Sequence, residues 1–173
     1  MKTFGVFTLC VSSCVLISVG VICMVSKIRF EQNCKGYLKH AADANTVQLA
    51  KSELKKSLEF IENQGLTQGS THAIYSTPKC DLEFWYSNLN AAAHELDALP
   101  DNADPLIVSN QLMKLRETLV DQGEKGPKVT LPPYISVYPY QTPIQLTTFA
   151  SLGGLFVGSM AIASVCESQS KEK

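Results

Sequence analysis

The sequence predicts an all-α fold in which two transmembrane helices flank a three-helix antiparallel bundle, followed by a Pro/Tyr-rich extended strap. Three observations carry this expectation. An uncharged apolar run lies toward each end, three amphipathic stripes of helical period lie between them, and a cluster of prolines follows the third stripe.

The first crossing is placed at residues 4–26, after a short tail of residues 1–3. No charged residue occurs from Thr3 to Ser26, and at about 1.5 Å per residue such a run spans the roughly 30 Å hydrocarbon core. A cleaved signal peptide is the competing reading, since the chain starts Met1-Lys2, but its apolar part would be only about 7–15 residues. Val11-Ser12-Ser13-Cys14 looks like a lipoprotein processing box, yet apolar sequence continues beyond Cys14. Length favours a retained anchor.

Residues 27–126 form the helical soluble domain. After Tyr37–Ala44, apolar Val47, Ala50, Leu54, Leu58 and Ile61 recur at steps of three and four, and Gly65 and Gly69 end this first helix near Gln64. Thr77-Pro78 supplies a hydroxyl cap and a first-turn proline for the second helix. Its stripe is Leu82, Trp85, Leu89, Ala92, Leu96 and Leu99, and Pro100 stops it. Asp104-Pro105 repeats the device before Val108, Leu112, Leu115 and Leu119, with Gly123 and Gly126 as terminators. Each stripe needs a partner to bury it, which argues for a bundle.

Pro127, Pro132, Pro133, Pro139 and Pro143 exclude a helix over residues 127–143 and predict an extended strap, with room for a short edge strand at Ile135–Val137. The second crossing is placed at residues 144–166, before a tail of residues 167–173. Two crossings put both termini on one side. Lysines flank both sides of the membrane runs, so the charge rule conflicts with itself. The signal-anchor-like start places the termini in the cytoplasm and the middle domain outside it.

With 15 basic and 16 acidic residues the chain has no field to recruit nucleic acid. Of six cysteines, Cys10, Cys14, Cys23 and Cys166 fall in the membrane runs, where they serve as small packing residues, and no C-x-x-C occurs. Cys34 and Cys80 could pair in an oxidising compartment and would stay reduced in the cytoplasm. His40, His72 and His94 lack metal-ligand spacing, and Asp97, Asp101 and Asp104 suit caps and turns better than a calcium loop. No catalytic residue, cofactor or metal is expected.

Trp85 and Tyr86 could form a ligand platform, but Trp85 lies on the seam and reads as core. Tyr134, Tyr138 and Tyr140 sit near the second crossing, as headgroup-level aromatics or as a partner-binding strap. Ala150, Gly154 and Gly158, at four-residue steps, mark a close-packing line for the first crossing, another copy or another subunit, unless they only reflect membrane-helix composition.

Lys35-Gly36-Tyr37-Leu38, Ala41–Thr46 and Leu112–Leu119 resemble segments of functionally unassigned bacterial small membrane proteins with a helical domain. That resemblance implies no activity and transfers no site. The leading expectation is an accessory or scaffold subunit, embedded in membrane lipid, whose helical domain contacts a protein partner. The rival is an extracytoplasmic ligand-sensing module that signals through a partner membrane protein, because the few residues after Cys166 leave no output domain. An enzyme ranks third, for want of a catalytic constellation.

Overall fold

The computed structural model describes residues 2–72, 76–100, 102–123 and 126–171, with side chains from Thr3 to Ser164. The chain is mostly helical. Its described helices are α1 (Lys2–Phe30), α2 (Gly36–Ala42), α3 (Val47–Asn63), α4 (Leu82–Asp97), α5 (Pro105–Leu119) and α6 (Gln141–Lys171), and its strands are β1 (Val120–Gly123) and β2 (Gly126–Val129). It divides into two compact units, residues 1–26 with 139–173, and residues 27–138.

In the first unit, α1 and α6 are both long and apolar enough to cross a membrane, with mean hydropathy of 2.5 and 1.6 over 18 residues. Only 6% and 11% of those windows is buried, whereas the core helix of a soluble protein is mostly covered. Phe7, Ile17, Phe149 and Phe156 are exposed. The more covered positions include Gly5, Leu9, Ser12, Leu16, Val19, Cys23 and Ser26 on α1, and Ile144, Thr148, Ser151, Leu155, Gly158 and Ile162 on α6. Their alternating steps of four and three give the 3.5-residue period of a coiled-coil seam.

The two helices meet at small residues. A Cβ on Gly158 would lie 2.9 Å from Leu9 Cγ and 3.1 Å from the Gly5 carbonyl oxygen, and one on Gly154 would overlap the Ser12 hydroxyl. Gly5 in turn faces Ala161 and Ile162. Contacts move down α6 as they move up α1, so the pair is antiparallel. Of the small-residue line expected from the sequence, Gly154 and Gly158 face α1, while Ala150 is exposed. A four-residue step drifts off a 3.5-residue seam within two turns.

The second unit opens with a π-helical turn, Glu31–Lys35, between α1 and α2. The Gly36 N–H reaches back five residues to the Glu31 carbonyl. Asn33 Nδ2 donates to the Arg29 carbonyl at 2.9 Å, and the buried Ser57 hydroxyl donates to the Cys34 carbonyl at 3.1 Å. These side chains supply donors to carbonyls around the widened turn.

Here four helices replace the expected three: α2 packs on α3 and α5, α3 on α4, and α4 on α5, closing a ring. The expected first helix is broken after Ala42 because Thr46 starts a new one, its hydroxyl accepting the Leu49 N–H at 3.3 Å. Leu38, Leu54, Ile61, Leu82, Leu96 and Leu119 are fully buried at the centre.

Two helix ends also differ from expectation. Thr77-Pro78 opens only a 3₁₀ turn, Pro78–Cys80. The cap of α4 is Asp81, whose carboxylate accepts from the Glu83 and Phe84 N–H groups at 2.9 and 3.2 Å, two donors against the single one a hydroxyl cap usually takes. Asp104-Pro105 does start α5, with Asp104 accepting the Leu106 N–H at 2.7 Å. That helix stops at Leu119, before the glycines, because the chain folds into the antiparallel β1–β2 hairpin.

Val120 pairs with Val129 and Gln122 with Pro127 in that ladder, and the Thr130 N–H donates to the Leu119 carbonyl at 2.9 Å. This phase makes Gln122–Pro127 a non-hydrogen-bonded pair, where the missing proline N–H costs nothing. The strap forms no edge strand at Ile135–Val137. That segment is a 3₁₀ turn whose Ile135 is drawn into the core, 4% exposed. Helix α6 already begins at Gln141, with Pro143 tolerated in its first turn.

Candidate functional site

An apolar concavity lies in the second unit, where the first turns of α4 meet the hairpin and the strap. The Asp81 cap sets the start of α4, and the next turn presents two aromatic side chains in opposite ways. Trp85 is 8% exposed and its Nε1 donates to the Thr130 carbonyl at 3.1 Å, which ties the helix to the chain leaving β2. Phe84 is 64% exposed. Together with Leu89, Leu131, Pro132 and Pro133 they line a groove of about 610 Å³.

Lys79 and Asp81 border the groove on one side, and Asp121 and Lys128, paired across the ladder, on the other. The rim is therefore neutral in sum. Because Val120–Val129 is a non-hydrogen-bonded pair, the Val129 N–H and carbonyl point away from β1. An apolar floor beside main-chain groups suits an uncharged, extended segment.

The strap is fixed by one tyrosine and leaves the others outward. Tyr138 donates to the Gln68 carbonyl at 3.1 Å and lies over Gly69, where a Cβ would come 2.5 Å from the hydroxyl. Gly69 has φ +99°, so only glycine suits both the backbone and the contact. The same loop is held by the Thr71 N–H on the Cys80 carbonyl and the Leu82 N–H on the Gly69 carbonyl, both 2.9 Å. Tyr134 sits in the left-handed region at φ 59°, rare for a residue with a Cβ, and meets the His72 ring edge-on at 5.7 Å. It is 58% exposed, next in the chain to the groove-lining Pro133. Tyr140 is exposed and belongs to the first unit.

Cys34 and Cys80 are both buried free thiols here. Burial pushes the Cys34 thiol up to about 12, and Cys80 Sγ lies 3.0 Å from the Thr77 hydroxyl. Cys23 is half-covered, while Cys10 and Cys14 are exposed on α1 and Cys166 lies outside the described side chains. Asp97 pairs with Lys51 at 3.5 Å and Asp104 caps α5, while Asp101 is outside the described residues. Across the α4–α5 contact Lys114 and Gln111 both donate to Glu95 at 2.7 Å. These bonds, Lys114 first, hold the Glu95 carboxyl below its usual range.

Trp85 was legible as a seam residue. The groove beside it was not, although Phe84, an aromatic off the apolar stripe and next to a cap, is the signal that marks it. No protein-family model matches the chain, and neither curated proteins nor solved structures yield a match, so the functional reading rests on these residues alone.

Proposed function

We propose that the chain is a two-pass membrane protein serving as an accessory or scaffold subunit, whose helical domain holds a protein partner in the groove of Phe84, Trp85, Leu131 and Pro132. In this reading α1 and α6 are the crossings, both termini are cytoplasmic and the helical domain is extracytoplasmic. The observation that carries it is the exposed Phe84 beside the half-open, neutral groove. A large apolar side chain left in water beside an apolar concavity is characteristic of a docking surface.

The test is photo-crosslinking in intact cells with a benzophenone amino acid at Phe84. One dominant protein adduct is expected, lost when Leu131→Asp is added. Diffuse adducts that ignore Leu131→Asp would count against the groove. The ligand-sensing alternative draws on the same groove, whose volume is within the range of small-molecule sites, roughly 300–1,000 Å³. It predicts melting of the purified chain that shifts with a small molecule and no protein adduct at position 84.

A further inference from the structure

We draw no further inference here: the strongest candidate, the apolar trough between the α2–α3 turn and the start of α5, lined by Ala44, Val108 and Met113, carries nothing because its lining charges, Asp43 and Arg116, balance and nothing in the structure shows what covers it.

Discussion

Glu53 sits on α3 with only 7% of its surface exposed, yet it is an acid. Lys56 donates to it at 2.6 Å and the His40 ring lies at 3.2 Å. The Lys56 bond foremost, with His40 adding to it, outweighs desolvation and holds the carboxyl below its ordinary value of 4.5. A depressed carboxyl favours the fold while ionised, fully above the unfolded value and progressively less as pH falls through the folded one. Melting temperature should therefore decline below about pH 4.5, and Glu53→Gln should flatten that decline while lowering stability at neutral pH; an unchanged acid limb would remove Glu53 from the account. Leu89, 2% exposed between α4 and the rest of the core, supplies the complementary apolar test. Leu89→Ala should cost about 2–5 kcal/mol in chemical denaturation, and a loss under about 0.5 kcal/mol would mean the position tolerates truncation as a surface site does.

Helices with strong periodicity were legible in the sequence, and their ends were legible where one chemical device dominated. Asp104-Pro105 started α5 as expected, and α3 ends at Asn63, beside the expected Gln64. The α4 start was misplaced because two caps compete within five residues, Thr77 and Asp81, and only tertiary contacts decide between them. The hairpin escaped notice because its strands are four residues long and hold Asp121, Gln122, Pro127 and Lys128, poor strand formers. Pairing of Val120 with Val129, which is 6% exposed, outweighs that propensity.

The α1–α6 seam was half legible. The glycines of α6 stood out, but α1 hides its small positions, Gly5 and Ser12, among apolar residues that sequence reading treats alike. A Cβ on Gly154 would displace the Ser12 hydroxyl and lie 3.5 Å from Ser12 Cβ, so the longer side chain of Gly154→Leu should push the helices apart without making α6 less apolar. Spin labels at the exposed Ser13 and Ser159 should report a longer distance, with membrane extraction unchanged. An unaltered distance would show that the seam does not depend on this glycine.

At the scale of the whole molecule, two units of opposite surface character share one chain. Residues 4–26 and 144–164 hold no charged residue, whereas the domain between them carries paired charges such as Lys51–Asp97 and Lys114–Glu95. That division is what a bilayer on one unit and water on the other would require. Surface pairs of this kind contribute little stability individually, roughly 0–1 kcal/mol, so the domain relies on its buried ring of leucines and on Trp85. The grooves were the least legible feature, because each is built from residues far apart in sequence, such as Phe84 with Leu131 and Ala44 with Met113.

If α1 and α6 both cross the bilayer, the domain lies on the opposite side from the two ends. This topology is tested by labelling intact cells with a membrane-impermeant maleimide, using single cysteines introduced at Ser87 on α4 and at Ser170 near the end of the chain, each compared with the unsubstituted protein. Ser87→Cys should be labelled from outside and Ser170→Cys only after the membrane is opened. Labelling of both positions from the same side would contradict it.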